Sequence, residues 1–281
     1  MKLEHAVITA AAPHQRELPT QTLVGPDGER TSVLHRLVDE ALSAGATQVG
    51  VVCHPDDEAL YARAAGEHAA RCTFLAQAEP KGYAHALSCA RDFTGGADFL
   101  HLVGDHVWSS DGERGSAQQL AELARAEACS ISAVQPTRER DLAHFGAVGG
   151  ALVKGRTKLY EVERVLEKPS PTVAEEELFV PGLRAGRYLC FFGVHAFSAG
   201  IWPLLEEAVA AGERSIGRSL ERLANEERYL AYVPDGWRWD VGNRWGLLVA
   251  QLGLALAGDE REEVLAGIVE LLAHTRADRG A

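Results

Sequence analysis

Nothing in this sequence pairs its cysteines. Cys53, Cys72, Cys89, Cys129 and Cys190 are odd in number and contain no CxxC, which argues against a disulfide framework and for a reduced, cytoplasmic protein. The 11 histidines form neither HxxxH nor HExxH, so they read as solvated or supporting residues rather than as a helical zinc site. No apolar run approaches the length of a membrane span, and the start from Met1 to His5 leads into a strand-like segment without a leader pattern. Positive charge is also short. The 28 Lys+Arg against 40 Asp+Glu leave a net charge of −12, whose field repels nucleic acid and anionic membrane. A phosphate-bearing ligand must then be held by local cations, metal ions or backbone N–H groups. No GxGxxG follows the first strand-like run, which argues against a nicotinamide dehydrogenase.

Apolar residues are plentiful. At 46% hydrophobic and 24% charged, the chain can build one large core, and a single domain over 1–281 is expected. Strand-like runs at 6–11, 48–53, 73–76, 98–103 and 130–134 alternate with helical patterns at 32–44, 56–70, 83–91 and 117–126. Gly45 stops the first helix and Pro55 opens the second. Alternation at this spacing predicts an α/β fold, a mostly parallel sheet with helices on both faces. Runs at 146–153, 159–166 and 187–194 predict antiparallel additions to one side. Helices return at 201–210, 216–224 and from 244 onward, and 262–274 carries an amphipathic stripe.

Polar residues that could carry chemistry stand at the ends of these strands, where open α/β sheets bind ligands. Gln77 and Gly82 follow a strand and open a helix: the amide can donate to and accept from a base edge, and the glycine permits close backbone approach. Asp105 ends a hydrophobic strand, a position suited to Mg²⁺, although Asp105-His106-Val107 is not the Asp-x-Asp of metal-dependent glycosyltransferases. Glu167 and Lys168 precede Pro169; the acid can accept sugar hydroxyls and the lysine can neutralise a phosphate. The proline biases Lys168 towards an extended backbone, and a bend is expected at this pair. Asp240, after Trp237 and Trp239, is a second candidate metal carboxylate.

The order of these segments resembles the sugar-phosphate nucleotidyltransferase family, above all the bacterial UTP–glucose-1-phosphate uridylyltransferases. The match runs through Arg16 with Leu18-Pro19, Gln77 with Gly82, Gly104-Asp105, Phe145-Gly146, Glu167-Lys168-Pro169, Ile201-Trp202-Pro203 and Trp239-Asp240 with Asn243. The resemblance implies a Rossmann-like mixed sheet with an antiparallel sugar-binding lobe. It divides the chain into a nucleotide-binding half (1–140), a sugar-binding half (141–243) and C-terminal helices (244–281). It implies attack of a sugar 1-phosphate, glucose 1-phosphate favoured, on a nucleoside triphosphate, UTP favoured, giving a nucleoside-diphosphate sugar and pyrophosphate. By position, Ala11, Ala12, Gln77 and Gly82 would bind the nucleotide, and Gly146, Glu167 and Lys168 the sugar phosphate. Asp105 and Asp240 would share Mg²⁺, and Arg16, Asp105 and Lys168 would carry catalysis. The two substrates are the expected partners, with no nucleic acid and no membrane, and a homo-oligomer is left open. One segment departs from the family: where it has Gly-x-Gly-Thr-Arg, this chain has Ala12-Pro13-His14-Gln15-Arg16, with no lysine between Lys2 and Lys81. The alternative expectation is therefore a non-catalytic nucleotide-sugar-binding or regulatory homologue.

Overall fold

Described over residues 1–277 by a computed structural model, the chain begins with β1 (His5–Thr9), β2 (Thr22–Val24), β3 (Arg30–Ser32), α1 (Val33–Ser43), β4 (Gln48–Cys53), α2 (Glu58–Ala65) and β5 (Cys72–Ala76). It continues with α3 (Tyr83–Ser88), α4 (Arg91–Thr94), β6 (Phe99–Val103), β7 (His106–Ser110), α5 (Ser116–Glu127) and β8 (Ser130–Arg138). Next come β9 (Gly146–Leu152), β10 (Leu159–Glu167), α6 (Pro171–Glu177), β11 (Arg187–Phe197), α7 (Ile201–Ala210) and α8 (Gly217–Glu226). Last are β12 (Tyr229–Tyr232), β13 (Gly236–Asp240), α9 (Gly246–Leu256) and α10 (Arg261–Ala277).

Nine strands form one mixed sheet in the order β5-β4-β1-β6-β11-β8-β12-β10-β9. β5, β4, β1 and β6 are parallel, as the alternation of strand and helix predicts. β11 runs antiparallel to β6 and β8, and β10 antiparallel to β12 and β9. β9 and β10 lie at one side as expected, whereas β11 is inserted in the middle of the sheet, where its ladders to β6 and β8 join the two halves. Alternate side chains of β1 feed opposite faces: Ala6 and Ile8 pack under α1, α2, α5 and α9, whereas Val7 packs with α3, α7 and α8. A third apolar cluster joins α6 to β9 and β11 through Ala174, Leu178, Ala147 and Cys190. Among the described residues no helix is long and apolar enough to cross a membrane.

Several elements differ from the periodicity reading. The helix expected at 56–70 is α2 flanked by 3-10 turns at Pro55–Asp57 and Gly66–Arg71, because Gly66 takes φ +61° and ends the α-helix. The helix expected at 83–91 divides into α3 and α4. β2, β3, β7 and β12 are additional strands; β2, β3 and β12 have only three or four residues, too few to show alternation, and β7 is fixed by its pairing with the distant β13. The C-terminal helical region is α9 and α10, and within the 262–274 stripe only Val264 and Ile268 are partly covered.

Candidate active site

β1 is joined through α1 to β4 on one side and borders β6 on the other, which opens a crevice at the C-terminal ends of the strands. The loops after β1, β5 and β6 enclose there a cavity of about 290 Å³, lined by Thr9, Ala11, Ala12, Gln77, Gly82 and Asp105 among others. Gly104 lets the third loop lie directly on the first strand: its N–H donates to Thr9 O at 2.9 Å, and a Cβ there would stand 2.5 Å from that oxygen.

Gln77 is 5% exposed. Its amide nitrogen is 3.1 Å from Gly82 O and 2.9 Å from His85 Nδ1, so both amide hydrogens have acceptors. Oε1 is left to accept a bond from a ligand in the cavity. Gly82 takes φ +112°, and a Cβ would meet Arg214 O at 2.5 Å, so the residue answers both a backbone and a space requirement. Arg214, another lining residue, donates to Pro80 O at 3.0 Å and closes the same corner. The sequence held no motif pointing to it.

The first loop is a tight turn in which Gln15 N–H donates to Ala12 O at 2.9 Å. Among the described residues the Ala11 and Ala12 N–H groups have no hydrogen-bond partner in the protein, and both residues line the cavity. Arg16 departs from its expected place. Its Nε and Nη2 donate to the two carboxylate oxygens of Asp57 at 2.5 and 2.7 Å, and it lines a separate depression with Glu17 and Leu60. A bidentate partner on the nearby 3-10 turn, 8% exposed, claims the guanidinium away from the cavity.

Asp105 and Asp240 meet. β13 pairs antiparallel with β7, setting Asp240 opposite His106, and Val241 N–H donates to Asp105 O at 2.8 Å. One ligand atom each from Asp105, His106 and Asp240 lie within 4.8 Å of one another. His106 Nδ1 is 2.7 Å from Asp105 Oδ1, while Asp240 accepts from Gly242 N–H and the Asn243 amide, both at 2.9 Å. Burial works to raise the Asp105 carboxyl, but the charge and hydrogen bond of His106, with the Gln15 amide, hold it below its ordinary pKa. Gln15, from the first loop, thus stands against the carboxylate pair and beside Gly242, a placement the sequence did not signal. Two carboxylates with spare lone pairs at strand ends suit Mg²⁺, which takes one or two such ligands and completes its shell with water and phosphate oxygens.

Farther along the sheet, the ladder sets Glu167 opposite Gly146 at the paired ends of β10 and β9. Glu167 is open to solvent on one side. Protein crowded around its carboxyl nevertheless raises the pKa, with Lys168 opposing. The expected bend is present at Lys168, but its backbone is left-handed, φ +46°, rather than extended. The pre-proline preference yields because β10 must end at Glu167 and turn into the cap of α6, where Ser170 Oγ accepts from Val173 N–H. Among the described residues Lys168 has no ion-pair partner, so its ammonium is uncommitted. Tyr83 links the two sides: burial first, then the charges of Asp105 and Glu167, push its phenol well above the ordinary value. Its hydroxyl is 2.5 Å from Nε2 of the fully buried His101.

A second cavity, about 640 Å³, adjoins on the Asp240 side and is lined by Arg138, Arg187, Arg244 and Trp245 among others. Arg238 sits in its wall with the guanidinium 3.8 Å over the Phe145 ring; burial lowers its pKa to about 10.

Comparison with known proteins adds to this geometry. Residues 16–255 match the family model described as nucleotidyl transferase. The chain is 30% identical over 199 residues to a UTP–glucose-1-phosphate uridylyltransferase of Bacillus subtilis, a match covering 70% of this chain and 63% of that protein. A protein of the same name from Staphylococcus epidermidis is 27% identical over 71% of this chain and 65% of its own length. The chain therefore spans a little under two thirds of these curated relatives. Among solved structures, a UTP-bound UGPase from Acinetobacter baumannii superposes with TM-score 0.74 at 20% identity, covering 96% of this chain and 100% of that one. A UDP-glucose pyrophosphorylase complexed with UDP-glucose gives TM-score 0.73 at 20% identity, covering 89% and 97%. These two likenesses establish the Rossmann-like nucleotidyltransferase fold.

Proposed function

The chain belongs to the nucleotidyl transferase family, and on that premise we propose that it joins UTP and glucose 1-phosphate to give UDP-glucose and pyrophosphate. The observation that carries this reading is the convergence of a base-sized cavity at Gln77, which Asp105 lines, with Asp240, which meets Asp105 from the wall of the adjoining cavity. Gln77 Oε1 is an acceptor, so it suits a base carrying a ring N–H, as uracil does, and disfavours cytosine, whose corresponding nitrogen is itself an acceptor. The free N–H groups of Ala11 and Ala12 would hold the α-phosphate. Glu167 beside Gly146 would accept sugar hydroxyls, and the uncommitted Lys168 would draw in the sugar phosphate. An oxygen of that phosphate attacks the α-phosphorus; the bond to the β-phosphate oxygen breaks, and its electron pair leaves with pyrophosphate. The attacking oxygen carries no proton, so no general base is required. Positioning and charge compensation do the catalysis. Asp105 and Asp240 would hold Mg²⁺, which when bound supplies charge neutralisation between the phosphates. Arg16 acts through Asp57, fixing the first loop.

A second reading is a binding or regulatory homologue, favoured by Pro13, which has no N–H, and by the commitment of Arg16 to Asp57. Incubation with UTP, glucose 1-phosphate and Mg²⁺ separates the two. The enzyme gives pyrophosphate and UDP-glucose one for one. Binding of UDP-glucose without turnover of any triphosphate tested would instead establish the second reading.

A further inference from the structure

Two histidines without a motif between them meet outside the cavity. His35 lies in the first turn of α1 with Asp39 one turn on, and the 3-10 turn at Gly66–Arg71 brings Glu67 and His68 against them. The two imidazole rings stand 4.5 Å apart, tilted by 35°. One ligand atom each from His35, Glu67 and His68 lie within 4.8 Å of one another. His35 Nδ1 is 3.2 Å from Ala65 O. A carbonyl can only accept, so that nitrogen carries the hydrogen and Nε2 keeps its lone pair. This outer hydrogen bond is the kind that orients a metal-binding imidazole. His68 Nε2 is shielded from solvent with no hydrogen-bond partner, and Asp39 Oδ1 stands 3.6 Å away, beyond good hydrogen-bond reach.

We propose that His35, His68 and Glu67, with Asp39 beside them, form a divalent transition-metal site selective for Zn²⁺ over Mg²⁺. Two imidazoles and a carboxylate are borderline donors that match Zn²⁺, whereas Mg²⁺ demands oxygen. A bound cation gives the shielded His68 nitrogen the partner it lacks and neutralises the two acids. Glu67 faces solvent, so the ion has a route in and room for water as its remaining ligand. The ion would clip α1 to the turn after α2. The intervening segment carries Asp57, and through Arg16 that clip bears on the first loop.

The test uses the full chain with Mg²⁺ in excess, so that the Asp105–Asp240 pair is occupied. One equivalent of Co²⁺ should give the visible d–d bands of a tetrahedral nitrogen and oxygen site, displaced by one equivalent of Zn²⁺. Zn²⁺ should shift the His35 and His68 ring resonances in ¹⁵N-detected spectra and raise the thermal midpoint. His35→Asn with His68→Gln should weaken Co²⁺ affinity by about tenfold or more and abolish the midpoint shift. The proposal fails if those bands persist in the double variant, or vanish only in Asp105→Asn with Asp240→Asn. Should the histidine variant not fold, the wild-type ring spectra decide: unmoved His35 and His68 resonances at one equivalent of Zn²⁺ overturn the site.

Discussion

Gln77 shows how much a single side chain can settle when its own bonds are accounted for. With both amide hydrogens bound to Gly82 O and His85, its free oxygen is the atom proposed to read the base. Gln77→Leu is expected to raise the UTP KM by roughly tenfold to a hundredfold, about 1–3 kcal/mol for a lost buried acceptor, and to narrow discrimination against CTP; steady-state kinetics with both nucleotides checks this. Asp105 and Asp240 should behave as one unit. Either Asn variant is expected to lower kcat by on the order of 10²-fold, and the double variant should lose little more than the worse single one. Beneath them His101 is fully buried, and burial lowers its pKa to about 4, opposed by the carbonyl of Val7. The unfolded chain protonates this imidazole near its ordinary 6.5. Between these values the unfolded state binds the extra proton, so stability must fall as pH drops from about 6.5 to about 4, by roughly 3 kcal/mol from this residue. Urea unfolding across that range should show the slope, and a folded His101→Phe variant a shallower one.

Among the elements, the end of β10 holds a strained turn beside the proposed sugar-phosphate site. Lys168 occupies the left-handed region that glycine tolerates best. Lys168→Gly should therefore raise unfolding free energy by about 0.5–1 kcal/mol while UDP-glucose affinity falls by about 1.5–3 kcal/mol for the lost charged contact. Denaturation and calorimetry on the same variant would then move in opposite directions. α1 is the opposite case, a helix whose pattern reads directly. Ser32 caps it by accepting from His35 N–H at 2.9 Å, and Leu34 and Leu37 are fully buried. Leu34→Ala should cost about 2–5 kcal/mol in thermal or urea denaturation. What was legible follows the same division. The parallel strands, α1 and the strand-end acids Asp105 and Asp240 could be read because local periodicity determines them. The pairing of Arg16 with Asp57, the approach of Arg214 to Gly82, the reach of Gln15 to Asp105 and the meeting of His35 with His68 could not. Each joins residues brought together by tertiary packing, and the backbone of Lys168 follows the turn into α6 against its local preference.

Across the whole molecule the net charge of −12 sets the terms for any phosphate ligand. On the proposed reading, attraction comes from the first-loop N–H groups, Arg214, Lys168, the arginines of the second cavity and a cation held by Asp105 and Asp240, all against a repulsive background field. The order of the sheet carries a different consequence, for how the chain is made. β12, residues 229–232, lies between β8 and β10, which leave the ribosome far earlier. Until it arrives, the facing edges of those two strands have no ladder between them, and a nascent chain exposes them as templates for wrong pairing. β12 is a keystone laid late. Translation intermediates stalled before residue 229 should be cut readily by protease within β8–β10 and retained by chaperones, whereas chains released after β12 should resist both.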